Sequence, residues 1–155
     1  ENEVVWDPFC GSGLELIESA LLGGVARFIG TDTDRKAIAV AEANVASARL
    51  EGVAASFAVR DFREYASVNG LGPGTVSLII TNPPMGRRIR IPDMKGMFSS
   101  FFDVAAEALK PGGRLVFPNP LRLEPRDPSL QLQYREVVDL GGFDCRLEVY
   151  LKAKS

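Results

Sequence analysis

Short apolar runs, each closed by a polar residue, organise the chain. Residues 3–6 end at Asp7-Pro8, where proline cannot continue a central strand, so a buried strand stops there. A Gly11-Ser12-Gly13 turn follows, and Leu14, Ile17 and Leu21 then recur at helical spacing until Gly23-Gly24 offers a left-handed stop. Residues 26–31 read as a second strand. Asp34 is a good N-cap for a helix whose Ile38, Ala41, Val45 and Ala48 share one face. Residues 53–60 predict a third strand and 69–74, rich in glycine, a loop. The β-branched run 76–81 predicts a fourth strand, ended abruptly by Asn82-Pro83-Pro84 because two prolines supply no donors. Met97, Phe98, Phe101, Phe102, Ala105 and Leu109 build a helix with an aromatic face, and the spacing favours burial of that face. Lys110-Pro111-Gly112-Gly113 stops it before a strand at 114–118. Prolines at 118, 120, 125 and 128 predict mostly loop, and 134–139 and 144–153 alternate as two strands joined at Gly141-Gly142. Strands alternating with helices predict an α/β, Rossmann-like, doubly wound, mostly parallel sheet with an antiparallel C-terminal hairpin.

Composition narrows the chemistry. At 155 residues, 46% hydrophobic and 25% charged, the chain suits one soluble domain with a real core. It has no apolar run near the roughly 20 residues of a membrane helix and no signal-peptide layout at its start, so a cytoplasmic protein is expected. Two cysteines, Cys10 and Cys145, are too few for a disulfide framework, and without histidine there is no cluster to hold structural zinc. The missing histidine also removes Ser-His-Asp and Cys-His catalysis, leaving carboxylates, amides, backbone groups or a bound cofactor. A net charge of −2 does not draw nucleic acid to the whole surface, so any such binding is local.

Open α/β sheets bind ligands at the carboxyl ends of their strands, and here those ends carry Asp7, Asp32, Asp61 and Asn82. In the turn Asp7-Pro8-Phe9-Cys10-Gly11-Ser12-Gly13 the glycines let backbone approach a ligand, but Leu16 stands where a dinucleotide fingerprint has its third glycine. That departure argues against a pyrophosphate cofactor such as NAD and leaves room for a nucleoside without phosphates, a description S-adenosylmethionine fits. Asp32 is placed to accept ribose hydroxyls. Asp34 caps its helix, and Asp32-x-Asp34 lacks the further oxygen ligands a metal wants, so no metal is expected. Asp61 has two readings, an acceptor for an adenine amino group beside the apolar face of Phe62, or an N-cap for the next turn. Asn82-Pro83-Pro84-Met85 is a rigid acceptor platform. If the Asn82 side-chain oxygen and the Pro83 carbonyl each take one N–H of an exocyclic base nitrogen, that nitrogen can pyramidalise toward a methyl donor without a histidine base. Arg87, Arg88, Arg90 and Lys95 lie just beyond and suit a phosphate backbone, or simply a solvated loop. Cys10 reads as packing, not as a nucleophile.

These segments, with Gly30-Thr31-Asp32, Thr81 to Arg88 and Leu109-Lys110-Pro111-Gly112-Gly113, resemble class I S-adenosylmethionine-dependent methyltransferases, and most of all the catalytic domain of THUMP-associated RNA methyltransferases. The resemblance implies methylation of guanine N2 in tRNA or ribosomal RNA. It places Asp7, Gly11 and Gly13 around the methionine part of the cofactor, with Phe9 beside them, Asp32 at the ribose, Asp61 and Phe62 at the adenine, and Asn82, Pro83, Pro84 and Met85 at the target base. Amino-methylating families usually carry Tyr, Phe or Trp after Asn-Pro-Pro, to stack on the flipped base; here that position is Met85. Alternatives are a DNA adenine-N6 methyltransferase, a nucleoside- or RNA-binding module without catalysis, and, less favoured, an NAD-dependent oxidoreductase. Because the chain opens on its first strand, residues 1–155 are expected to be the catalytic domain of a longer protein, with an RNA-recognition region preceding it and supplying much of the RNA contact.

Overall fold

A computed structural model describes residues 3–86 and 90–154. Seven strands form one sheet: β1 (Val4–Asp7), β2 (Arg27–Asp32), β3 (Ala54–Val59), β4 (Val76–Ile80), β5 (Leu109–Asn119), β6 (Leu130–Asp139) and β7 (Asp144–Lys152). Their order across the sheet is β3-β2-β1-β4-β5-β7-β6. The first five pair in parallel, whereas β7 runs antiparallel to both β5 and β6. The expected doubly wound sheet with an antiparallel hairpin is the observed one. The order reverses between β1 and β4, and at such a switch point neighbouring crossovers leave opposite faces and open a crevice.

Helices α1 (Leu14–Leu21) and α2 (Arg35–Ala48) cover one face, and α3 (Met94–Ala108) with a 3-10 turn at Phe62–Ser67 covers the other. Asp34 caps α2 by accepting from Lys36 N at 2.8 Å, as its position predicts. Asp93 caps α3 through Gly96 N at 2.9 Å, so this helix begins three residues before its first predicted apolar position. Phe98, Phe101 and Phe102 are buried in the core with Phe117, edge to face or stacked at 5.2–6.5 Å. The apolar row of α1 behaves differently: Leu14 and Leu21 are exposed, and Leu16 is the residue driven between β1 and β2 beside Val5 and Phe28. With only two turns, this helix needs one large anchor rather than a continuous stripe.

Two junctions depart from the predicted boundaries. The Lys110-Pro111-Gly112-Gly113 segment is folded into β5 as a bulge, with Val76 paired to Leu109 and Leu78 to Arg114. A side chain at Gly113 would meet the carbonyl oxygens of Lys110 and Val76 at 2.9 and 3.1 Å, so only glycine passes there. Strand β6 also begins earlier than expected, at Leu130. As the outer strand it has one open edge and keeps Gln131, Gln133 and Arg135 among its residues.

A buried carboxylate fastens the hairpin to β5. Glu148 is fully buried and accepts from Arg135 Nε at 2.8 Å, Asn119 Nδ2 at 3.0 Å and Tyr150 OH at 2.9 Å. Breaking a buried, hydrogen-bonded ion pair from one side costs about 3–5 kcal/mol. Glu148→Ala is therefore expected to lower stability by an amount of that order in urea unfolding, while Glu124→Ala, an exposed partner of the same arginine, changes it by less than about 1 kcal/mol.

Candidate active site

The carboxyl ends of β1, β2 and β4 are knit together by side chains. Trp6 Nε1 donates to Thr31 Oγ1 at 3.1 Å, tying β1 to β2. Asp7, with no exposed surface, accepts through Oδ1 from Thr81 Oγ1 at 2.5 Å and from Phe9 N at 3.0 Å, tying β1 to the start of the Asn-Pro-Pro segment. Gly11 N donates to Asp32 Oδ2 at 3.0 Å, tying the first turn to the second. The glycine turn and the proline platform are thus held at a set separation by buried polar contacts.

Above this rim lies a cleft of about 950 Å³, lined on one side by Phe9, Gly11, Asp32, Asp61 and Phe62 and on the other by Asn82, Pro83, Pro84 and Met85. The volume is at the upper end of what a single small-molecule site encloses, roughly 300–1,000 Å³. Gly11 adopts φ 49°, and nothing lies within 4 Å of where its side chain would be, so the backbone is open to a ligand at that point. Asp32 has one backbone donor on each oxygen, Gly11 N on Oδ2 and Asp34 N on Oδ1 at 2.9 Å, which orients the carboxylate and leaves lone pairs for a pair of hydroxyls. Among the described residues Asn82 is exposed and its amide has no protein partner, whereas Pro83 is buried and anchors the platform.

Asp7 and Gly13 lie behind the lining. Gly13, at φ 79°, is the N-cap of α1, and its Cβ position is 3.2 Å from Ala41 Cβ, so it brings α1 close to α2. Asp61 caps the 3-10 turn through Arg63 N at 2.9 Å, the N-cap of its two readings, and it also borders the cleft. Arg63 was not singled out by sequence: it pairs with Asp61 Oδ2 at 3.2 Å and lies 4.5 Å over the Phe62 ring. Both partners are exposed enough for this pair to hold the slot only weakly, by about 0–1 kcal/mol. Thr33, Ile91, Met97, Leu140, Gly141 and Phe143 also line the cleft without having been anticipated. The last three come from the turn between β6 and β7, which no local motif connects to Asn82. Arg87 and Arg88 lie outside the described residues, and Arg90 and Lys95 are exposed. Cys10 is packed among Leu16, Phe28 and Ala41 with its thiol pushed up by burial, which suits packing rather than attack.

Burial pushes the Asp7 carboxyl up to about 8, against the opposing pull of the Thr81 and Phe9 hydrogen bonds. Its Oδ2 is buried and has no hydrogen-bond partner among the described residues. The folded state therefore holds a proton that the unfolded chain, at the ordinary 3.8, gives up. Below the ordinary value the two states do not differ; as pH rises toward 8 the unfolded state is favoured progressively. Between pH 4 and 8 the ligand-free protein is expected to lose more stability than Asp7→Asn in parallel urea titrations, and coincident pH profiles would contradict the assignment.

Residues 1–125 match the family described as the RMKL-like methyltransferase domain. The tRNA (guanine(10)-N2)-dimethyltransferase of Methanocaldococcus jannaschii is 30% identical over 142 residues, which cover 91% of this chain and 39% of that protein. TrmN from Thermus thermophilus superimposes with a TM-score of 0.75 at 28% identity, over 97% of this chain and 44% of that one. This chain thus spans about two fifths of each. Magnesium protoporphyrin IX methyltransferase from Synechocystis, solved with S-adenosylmethionine, shares the fold at a TM-score of 0.71 and 16% identity, over 98% of this chain and 71% of that one. The family match contains the glycine turn, all three strand-end aspartates and the Asn-Pro-Pro platform, and the chain belongs to the RMKL-like methyltransferase domain family.

Proposed function

We propose that this domain methylates the exocyclic N2 of guanine in tRNA, using S-adenosylmethionine. The observation that carries the reading is the sharing of one cleft by the Asn82-Pro83-Pro84 platform, with Asn82 exposed, and a nucleoside-type half built on Gly11, Asp32, Asp61 and Phe62. The activity of the Methanocaldococcus relative, a tRNA (guanine(10)-N2)-dimethyltransferase, supports the choice of base and of RNA.

The residues present fit the cofactor. Gly11 leaves backbone open beside the turn, Asp32 offers oriented acceptors to ribose hydroxyls, and Asp7 Oδ2 is a buried polar atom without a partner among the described residues. Two carboxylates on the lining, Asp32 and Asp61, favour a cationic ligand and repel a pyrophosphate. The third-glycine position is filled by Leu16, fully buried in the core, which again suits a ligand without phosphates. An adenine entering beside Asp61 displaces the Arg63 guanidinium or slides beneath it, keeping Phe62 as its apolar neighbour. When bound, S-adenosylmethionine supplies an electrophilic methyl group on a sulfonium.

The protein's own task is to make a poor nucleophile competent. A guanine amino group is deactivated because its lone pair is delocalised into the ring. Asn82 Oδ1 and the Pro83 carbonyl accept its two N–H bonds, drawing the nitrogen out of conjugation and aiming the lone pair along the transfer axis. Neither Pro83 nor Pro84 has an N–H to compete for those acceptors, and the two rings limit the backbone rotation that would misalign them. Once the new N–C bond has formed, the surplus proton leaves the nitrogen for solvent, so a chain without histidine can complete the reaction. RNA backbone contacts fall to the exposed cations Arg90 and Lys95.

Asn82→Ala should lower the transfer rate to tRNA by at least about 10²-fold, the scale for losing one preorganised polar contact to a transition state, while calorimetric affinity for the cofactor stays within a few-fold. Asp32→Ala should show the opposite pattern, with cofactor affinity falling about 10- to 100-fold through the loss of a charged acceptor. Normal methylation by Asn82→Ala would exclude this mechanism.

A further inference from the structure

We infer that Phe143, at the tip of the β6–β7 hairpin, supplies the aromatic face on which the target base stacks, in place of the methionine that follows the Asn-Pro-Pro platform. This rests on the function proposed above and assigns a residue to its acceptor half. Methylating an exocyclic nitrogen needs the base extruded and held flat, and an aromatic ring is the usual means. Residue 85 cannot provide one, since Met85 is flexible and has no ring.

The fold brings a ring to the same cavity from 58 residues further along the chain. Because β7 runs antiparallel to β5, its first residues project past the carboxyl end of the parallel sheet, the rim that bears Asn82. Asn119, the last residue of β5, pairs with Arg146. Phe143 lies three residues beyond that pair, about 10 Å further out at the rise of a strand. There Leu140, Gly141 and Phe143 line the cleft that also holds Asn82, Pro83, Pro84 and Met85. Across the sheet, β4 separates the two flanks: β1, β2 and β3 with the nucleoside-binding half on one side, β5, β7 and β6 with this hairpin on the other. Phe143 therefore faces the acceptor side of the platform.

The placement is rigid enough for stacking. Gly141 and Gly142 adopt φ 81° and 91°, the pair of left-handed residues that a two-residue hairpin turn requires. Leu140 N donates to Phe143 O at 3.1 Å, and Gly142 N donates to Asp139 Oδ1 at 2.7 Å. Leu140 and Phe143 are thus directly opposed and project from the same face of the hairpin. Leu140 is 41% exposed and Phe143 half-buried, so neither side chain is sunk in the core. Below the tip, Glu148 and Arg135 clamp the two strands together.

The test compares the intact wild-type protein with Phe143→Ala, Phe143→Leu, Phe143→Tyr and the double variant Phe143→Ala/Met85→Tyr, using tRNA from cells that lack the protein as substrate and calorimetry with S-adenosylmethionine alongside. Removing a base-stacking ring lowers affinity about 5- to 150-fold, so Phe143→Ala should lose kcat/KM by that factor with unchanged cofactor affinity and thermal midpoint. Phe143→Leu should lose nearly as much, Phe143→Tyr should stay within about 3-fold of wild type, and the double variant should recover much of the loss by restoring a ring at the platform. Unchanged kcat/KM in Phe143→Ala, full activity in Phe143→Leu, or a loss of cofactor affinity that matches the loss of transfer would overturn the assignment. Transfer by wild type and none by Asn82→Ala, with Phe143→Ala fully active, would refute the stacking role alone; a wild type that methylates no tRNA would remove the proposed function as well.

Discussion

The buried Asp7 carboxylate is the constraint on which the rim of this sheet is built. It sits where β1 and β4 diverge, at the one place where crossovers leave opposite faces, and its Oδ1 takes a donor from each side of that divide: Phe9 N from the glycine turn and Thr81 Oγ1 from the strand that leads into Asn82. A carboxylate fully removed from water is costly, and two hydrogen bonds to one of its oxygens offset only part of that cost. The other oxygen has no partner among the described residues, and the carboxyl is correspondingly reluctant to ionise. A buried group with hydrogen bonds to both halves of the cleft couples their positions.

Around that point the acidic strand ends divide their labour. Asp32 is held by two backbone amides, one on each oxygen, and its carboxylate is fixed with lone pairs to spare. Asp61 serves as a cap and as part of the cleft wall, with Arg63 as a weakly held occupant of the slot beside Phe62. Gly13 belongs to the packing of α1 on α2 rather than to the lining, while Gly11 is the position with open space around it. Two glycines two residues apart therefore do different work, and only the surroundings tell them apart.

The hairpin shows how a remote segment completes a site. An antiparallel strand added to the end of a parallel sheet must return along β5, and its turn must then emerge at the rim where the parallel strands end. Glu148, fully buried, locks that geometry through Asn119 on β5 and Arg135 on β6. The cleft is consequently also lined by Leu140, Gly141 and Phe143, residues whose sequence neighbours suggest nothing but a turn.

Local rules carried much of this protein. The alternation of apolar runs with polar stops dictated the strands and helices, Asp34 announced its cap, and the positions of Asp7, Asp32, Asp61 and Asn82 after apolar runs identified the rim, because strand ends in a doubly wound sheet lie on one side by topology. Boundaries slipped where pairing outweighed propensity, as when Lys110–Gly113 was drawn into β5 as a bulge. What only the tertiary structure decided was which residues share a space. Leu16 rather than Leu14 or Leu21 anchors α1 because burial depends on what lies opposite, and Arg63 reaches Phe62 and Asp61 through the tight winding of one 3-10 turn. Phe143 shares the cleft with Met85 because an antiparallel return path brings it there. Periodicity and end signals act within a few residues and are written in the chain; proximity across 58 residues is set by strand order and register, which no short segment encodes.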